Sequence, residues 1–277
     1  MTSPRRILSE RGLRPQKGRG QNFLSDVNTA AKIVALANLD PALPVLEIGP
    51  GLGALTEPLL ASGLRVHAVE VDTGLVEYLK DHLVPRYESR FEVQHADILD
   101  LDPRQTAESL GGRISVVGNL PYVISSPVLF WLLEAGGSIA RAVVMLQKEL
   151  ADRLTASPGG KDYGRLSVIL GYHANVRTLV QVGASVFHPR PKVGSTVVSI
   201  EFKSDPRPAL KSDELFRRIV AAGFAMRRKK LSNALSAAFE TDIVRAALAE
   251  ANIDPNRRAE SLSVSDFVGL TNAWPAE

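Results

Sequence analysis

The chain has 277 residues, 45% of them hydrophobic, no cysteine and a formal net charge of only +3. Without cysteine there are no disulfides, thiolate nucleophiles or cysteine-based zinc sites, and the five histidines show no ligand spacing such as HExxH, so no metal is expected. No stretch approaches the apolar length of a membrane span and the opening MTSPRRILSERGLRPQKGRG has no apolar secretory core. The expectation is a cytoplasmic globular protein with one large and one small domain, monomeric by default.

In chain order, residues 1–19 read as a basic N-terminal tail, with Arg5, Arg6, Arg11, Arg14, Lys17 and Arg19 set against a single acid, Glu10. Residues 20–203 alternate short β-branched runs with helix-like segments. Strands are expected at 45–48, 65–71, 91–95, 114–117 and 142–146, the pattern of a mostly parallel sheet with helices on both faces. The runs 166–174, 176–182 and 196–202 follow with no long helix between them and read as further strands, closing the sheet with antiparallel members. The proline-bearing stretch 204–214, SDPRPALKSDE, reads as a linker. Residues 204–277 then form a small all-α domain with helices around 215–225, 229–239, 242–251 and 264–272. Arg217, Arg218, Arg227, Arg228, Lys229 and Lys230 lie there in a stretch free of acids, and two basic clusters in one chain point to a polyanionic partner.

Three strand ends carry ligand chemistry. In VLEIGPGLGALT (45–56), Gly49, Gly51 and Gly53 sit where a strand gives way to a helix, so the backbone can turn tightly against a ligand. The glycines alone leave NAD and S-adenosylmethionine open, because Gly49-x-Gly51-x-x-Ala54 also meets the dinucleotide fingerprint. Glu47 favours the second, since an acid before the glycines suits a ligand with an ammonium and a sulfonium rather than a pyrophosphate. Glu70, ending the next strand, is placed to accept from ribose hydroxyls. Asp97 in HADIL can accept from the exocyclic amine of a bound adenine, or act only as a helix cap.

The fourth strand end carries Asn119-Leu120-Pro121-Tyr122. An exocyclic amine such as adenine N6 is a poor nucleophile because its lone pair is delocalised into the ring. The Asn119 side-chain oxygen and the Leu120 or Pro121 carbonyl can each take one amine hydrogen, directing the lone pair at a methyl donor and stabilising the charge that grows on nitrogen. Tyr122 can stack on the base, worth roughly 1–3 kcal/mol in known single-strand binders. Taken singly, the four residues are also an ordinary strand-to-loop turn. In series with the glycine loop, Glu70 and Asp97, they fall at the carboxyl ends of parallel strands, where open α/β sheets bind ligands.

GQNFL (20–24), EIGPGLGALT (47–56), EVD (70–72), NLPY with ISSP (119–122, 124–127), MLQKELADRL (145–154), YGRLSV (163–168), FHPRPKV (187–193) and RRKKLSNAL (227–235) together resemble the rRNA adenine N6,N6-dimethyltransferase family of the KsgA type. The likeness runs from about Gly18 to about Leu270, and leucine in NLPY favours this family over the related methylases of large-subunit rRNA. It implies a Rossmann-like class I methyltransferase domain with a small all-α C-terminal domain. Its implied cofactor is S-adenosylmethionine, and its implied substrate is a pair of adjacent adenosines in a hairpin loop near the 3′ end of small-subunit rRNA, within a nearly mature 30S-type subunit.

By the same resemblance Asn22, Leu24, Gly49, Gly51, Glu70, Asp97, Ile98 and Asn119 would hold the cofactor. Asn119, Leu120, Pro121, Tyr122 and Phe187 would hold the target base, with Phe187 opposite Tyr122. Arg227, Arg228, Lys229 and Lys230 would bind RNA backbone. Val123 and Gly194 depart from the family pattern, which usually has asparagine and aspartate there. The competing readings are a non-catalytic ribosome-assembly factor retaining the cofactor pocket, against which intact NLPY argues, and an NAD-dependent oxidoreductase, which rests on the glycine loop alone.

Overall fold

A computed structural model of the chain describes residues 3–16, 18, 20–204 and 208–275. Lys17, Arg19 and the linker positions 205–207 lie outside the described residues. The elements in order are α1 (Pro4–Glu10), β1 (Phe23–Leu24), α2 (Val27–Ala37), β2 (Val45–Ile48), α3 (Thr56–Ala61), β3 (Val66–Glu70), α4 (Thr73–His82), α5 (Val84–Tyr87), β4 (Phe91–His95), α6 (Pro103–Ser109) and β5 (Ile114–Asn119). There follow α7 (Ser125–Ala135), β6 (Ile139–Gln147), α8 (Lys148–Leu154), α9 (Arg165–His173), β7 (Ala174–Val182), β8 (Phe187–His188), β9 (Ser195–Phe202), α10 (Asp213–Ala225), α11 (Leu231–Ser236), α12 (Thr241–Glu250) and α13 (Val264–Asn272). Contacts divide them into two compact units, Met1–Ala151 with Arg177–Phe202, and Asp152–Val176 with Lys203–Glu277. No helix among the described residues is long and apolar enough to cross a membrane.

The first unit is built on a seven-stranded sheet of order β4-β3-β2-β5-β6-β9-β7. The pairs β3/β4, β2/β3, β2/β5 and β5/β6 are parallel, and β9 runs antiparallel to β6. All four residues of β2 are buried, which requires cover on both faces of the sheet, as expected of a central parallel strand. Its core gathers Ile33, Val45, Leu59, Leu60, Leu79, Phe91, Val117 and Val143, each fully buried branched or aromatic side chain contributing about 1.5–3 kcal/mol. The chain steps outward from β2 to β3 and β4, then returns to β5 on the other side of β2. The carboxyl ends of β2 and β5 therefore flank a topological switch point, and the crevice there is the binding position of such sheets.

The N-terminal segment is not a separate tail. Ser3 caps α1 by accepting from the Arg6 N–H at 3.4 Å, Pro4 occupies the first turn, and Ile7 and Leu8 are buried against Phe23, Leu52 and Leu75. Two of its basic side chains are paired locally: Arg6 with Glu10 at 2.7 Å and Arg11 with Asp81 at 2.8 Å.

The run 166–174 is a helix, α9, not a strand. A continuous apolar run does not reveal its period. Here Ser167 at the third position takes the Gly164 N–H at 3.0 Å as a cap, and burial of Val168, Ile169, Leu170 and Tyr172 fits a packed helix. A Cβ on Gly171 would lie 3.2 Å from Val264, so glycine lets α9 approach α13. Residues 152–176 thus join the helical unit, which the sequence placed wholly after 204.

The stretch 208–211 is tied down rather than loose. Pro208 and Ala209 carbonyls accept from Tyr172 and Asn272 at 3.1 and 2.8 Å, and Lys211 reaches Asn272 and the Trp274 carbonyl at 2.8 and 2.9 Å. Ser212 then caps α10.

Candidate functional site

The switch-point crevice is a cleft of about 840 Å³, partly open to solvent. It is lined by Asn22 and Leu24, by Glu47, Gly49 and Gly51, by Glu70, by Asp97 and Ile98, and by Asn119 and Pro121. Every residue expected at the cofactor thus faces one cavity. Gly51 adopts φ +60°, a region costly for side chains, and a Cβ there would come within 3.1 Å of the Phe23 ring. Its N–H donates to Glu70 Oε2 at 3.1 Å, while Val71 and Asp72 N–H donate to Oε1 at 2.9 and 3.0 Å. Backbone donors occupy three of the roughly four acceptor positions of that carboxylate, leaving capacity for one ribose hydroxyl rather than both. Asp97 Oδ1 caps the turn at Leu99, 3.0 Å away. Capping and cleft-lining, which the sequence offered as alternatives, coexist there.

The charge of the lining is one-sided. Glu47, Glu70 and Asp97 face the cleft, and among the described residues no lysine, arginine or histidine does. Glu47 is 1% exposed and its Oε2 has no hydrogen-bond partner. Burial first pushes its pKa up to about 8, with the Thr56 hydroxyl opposing and the Glu70 charge adding to the rise. Burial likewise raises Glu70, against the pull of its backbone donors. Such an acidic lining offers a pyrophosphate no counter-charge among the described residues, whereas a cationic ligand with a ribose and an adenine fits it.

At the end of β5, Asn119 Nδ2 donates to the Asn22 carbonyl at 3.0 Å, and Asn22 Nδ2 donates to the Gly20 carbonyl at 2.9 Å. A carbonyl can only accept, so this bond fixes the Asn119 amide and leaves Oδ1 as the acceptor still available. The Pro121 carbonyl is already engaged, taking the Ser125 hydroxyl at 3.0 Å and the Ile124 N–H at 3.1 Å. Of the two carbonyls considered from sequence, Leu120's is therefore the one without a described partner. The Leu120 side chain is buried and its N–H donates to Met145 at 3.2 Å. Tyr122 is half-buried, its hydroxyl 3.5 Å from Ser195 Oγ.

Phe187, placed opposite Tyr122 by the resemblance, is 5% exposed, pairs with Leu24 in the β1/β8 ladder and packs in the core with Met145 and Val197. The two departures from the family pattern are accommodated: Val123 is 65% exposed, and a Cβ at Gly194 would lie 3.2 Å from the Val182 carbonyl. The sequence missed Gly118, where a Cβ would sit 2.9 Å from both the Ile48 carbonyl and Leu120. Its signal was a glycine directly before the asparagine.

In the second unit Arg227, Arg228, Lys229 and Lys230 are exposed between α10 and α11. They are not equivalent. Arg227 donates to the Lys161 and Tyr163 carbonyls at 2.9 and 3.3 Å and pairs with Glu260 at 3.8 Å, and Lys230 donates to Asn256 at 2.7 Å. Arg228 and Lys229 have no described partner, so they are the two free cations of the cluster.

A family model described as ribosomal RNA adenine dimethylase matches residues 13–274. The chain belongs to the ribosomal RNA adenine dimethylase family. Members are S-adenosylmethionine-dependent methyltransferases, and the acid-lined cleft and glycine loop fit that donor. Relatives named ribosomal RNA small subunit methyltransferase A include one from Geobacter metallireducens, 44% identical over 96% of this chain and 97% of its own. Another from Pseudomonas aeruginosa is 42% identical over 94% of each. Among solved structures, the 23S rRNA methyltransferase ErmE matches with a TM-score of 0.69 and 28% identity, covering 91% of this chain and 99% of its own. A dimethyladenosine transferase from Plasmodium falciparum, at 24% identity over 90% and 95% of the two chains, shares the fold with a TM-score of 0.76.

Proposed function

We propose that this chain dimethylates N6 of two adjacent adenosines in a hairpin loop near the 3′ end of small-subunit (16S) rRNA. It works as a cytoplasmic monomer on a nearly mature 30S-type subunit. The observation that carries the reading is the Asn119 amide at the end of β5, whose Nδ2 is held by the Asn22 carbonyl so that Oδ1 is its remaining acceptor.

Bound in the cleft, S-adenosylmethionine supplies an electrophilic methyl on a sulfonium. Glu70 accepts from its ribose, Asp97 and Ile98 hold its adenine, and Asn22, Leu24 and the Gly49–Gly51 turn enclose its amino-acid end. Asn119 Oδ1 and the Leu120 carbonyl each accept one N6 hydrogen of the target, which aligns the lone pair with the methyl and stabilises the charge gained by nitrogen. No strong base is needed, because N6 sheds its proton readily once methylated. Tyr122 stacks on the splayed base, whose extrusion costs least from a loop. Ser125, by engaging the Pro121 carbonyl, keeps Leu120 as the acceptor.

The test is methyl transfer from labelled S-adenosylmethionine to undermethylated small subunits, followed by mass spectrometry of the rRNA. Dimethyladenosine at both adjacent positions is expected. Binding of the subunit without any transfer would instead identify an assembly factor.

A further inference from the structure

An acid-lined cleft is a poor host for a nucleic acid. A nucleotide presented at Asn119 brings its phosphodiesters up to a cavity faced by Glu47, Glu70 and Asp97, with no basic residue in the lining among the described residues. Cations beside the target base would offset that repulsion. The loop 189–194, between β8 and β9, supplies two. Arg190 and Lys192 are exposed with no described partner, and they belong to a stretch, 163–200, that holds no aspartate or glutamate. Pro189 and Pro191 fix φ on either side of Arg190, so little backbone freedom is left to lose when a ligand binds there.

Both ends of this loop are tied to the elements that hold the target-base group. At its start β8 pairs with β1, Phe187 opposite Leu24 and His188 opposite Phe23, directly after Asn22, whose carbonyl holds Asn119. At its end Ser195 is buried, pairs with Gln147 on β6 and puts Oγ 3.5 Å from the Tyr122 hydroxyl. The Gly194 carbonyl takes the Lys148 N–H at 3.1 Å. Lys192 and Arg190 precede Ser195 by only a few positions, so their Cα atoms lie at most about 11 and 18 Å from it.

We propose that Arg190 and Lys192 form a phosphate clamp, each taking a phosphodiester oxygen beside the splayed adenosine, so that the loop holds the backbone of the nucleotide whose base is held by Asn119 and Tyr122. The inference rests on the RNA target proposed above. Contacts of this kind carry no sequence information but fix the register of the strand, which decides which base reaches Asn119. Arg228 and Lys229, which belong to the other compact unit, do not substitute for them at the reacting nucleotide.

The test compares the wild type with the double variant Arg190→Gln, Lys192→Gln on undermethylated small subunits, with the subunit Kd measured from about 50 to about 200 mM monovalent salt. Each lost phosphate contact removes about 0.7–0.9 from the slope of log affinity against log salt. The double variant should therefore have a slope shallower by about 1.5, and the advantage of the wild type should shrink roughly tenfold across that range. Arg190→Lys with Lys192→Arg keeps both charges and should keep the slope. The Kd for S-adenosylmethionine and the thermal unfolding midpoint should match the wild type in every variant, because neither side chain lines the cleft or has a described partner. Ethylating single phosphates of the rRNA before subunit assembly places the contacts: ethylation beside the target adenosines should block methyl transfer by the wild type and add nothing to the defect of the double variant. A salt slope equal to that of the wild type, or interference at those phosphates that persists in the double variant, overturns the proposal. Absence of transfer by the wild type would instead overturn the RNA-target reading, and the clamp with it.

Discussion

At the scale of single residues, the site depends on groups whose hydrogen-bonding capacity is partly spent. Asn119 has committed its donor and retains its acceptor, so its removal should act on the chemical step. Asn119→Ala should lower single-turnover methyl transfer by about 10²–10³-fold, the usual effect of deleting one preorganised polar contact to developing charge. A wild-type rate would remove the amide from the mechanism. Gly118→Ala probes the support beneath it. The added Cβ meets the rigid Ile48 carbonyl, and overpacking of this kind costs about 1–3 kcal/mol, so urea denaturation should shift together with a loss of transfer.

Glu47 makes a separate prediction for the cofactor-free protein. Its folded pKa of about 8 lies above the ordinary 4.5, so the unfolded chain ionises first and stability falls as pH rises from about 4.5 to about 8. The loss is on the order of a few kcal/mol. Denaturation at pH 5 and pH 8.5 should show this fall in the wild type and a smaller one in Glu47→Gln.

At the scale of elements, α1 and α9 show where local pattern and tertiary packing part. Six basic positions made residues 1–19 look solvated, yet Ile7 and Leu8 are buried on Phe23, Leu52 and Leu75, and all three of those side chains also line the cleft. Leu8→Ala should therefore cost about 2–5 kcal/mol, as core truncations do, and should also weaken S-adenosylmethionine binding. A cofactor titration unchanged in a destabilised Leu8→Ala protein would confine α1 to a structural role. In α9 the residues LSVIL suit strand and helix alike, and the decision lay with Gly164, Ser167 and the close approach at Gly171, whose partner Val264 is 93 positions away. The parallel strands were legible for the opposite reason. β2, β3 and β5 are short buried runs ended by glycine, acid and asparagine, and that punctuation carries both the fold and the ligand chemistry.

At the scale of the whole molecule, contacts to an rRNA backbone are largely electrostatic, and on a protein with a net charge of only +3 they depend on which exposed cations have no described partner. Arg228→Glu and Lys229→Glu should weaken subunit binding and reduce its salt dependence, by about one unit of slope per lost phosphate contact, with little change in stability. Arg227→Glu should instead lower stability, because its guanidinium is bonded to the Lys161 and Tyr163 carbonyls and faces Glu260. Thermal unfolding alongside subunit binding in a salt series separates the two.

The sequence by itself determined the α/β class, the mostly parallel strands and the strand-end groups Glu47, Gly49, Gly51, Glu70, Asp97 and Asn119 that line the cleft. These are encoded over a few neighbouring positions by period, punctuation and chemical type. Only the tertiary structure decided that Pro121's carbonyl is engaged while Leu120's has no described partner, that Arg227 is tied into its own unit, and that the cleft has no positive lining among the described residues. Each of these depends on which distant group satisfies a donor, an acceptor or a charge, and that pairing exists only once the chain has folded.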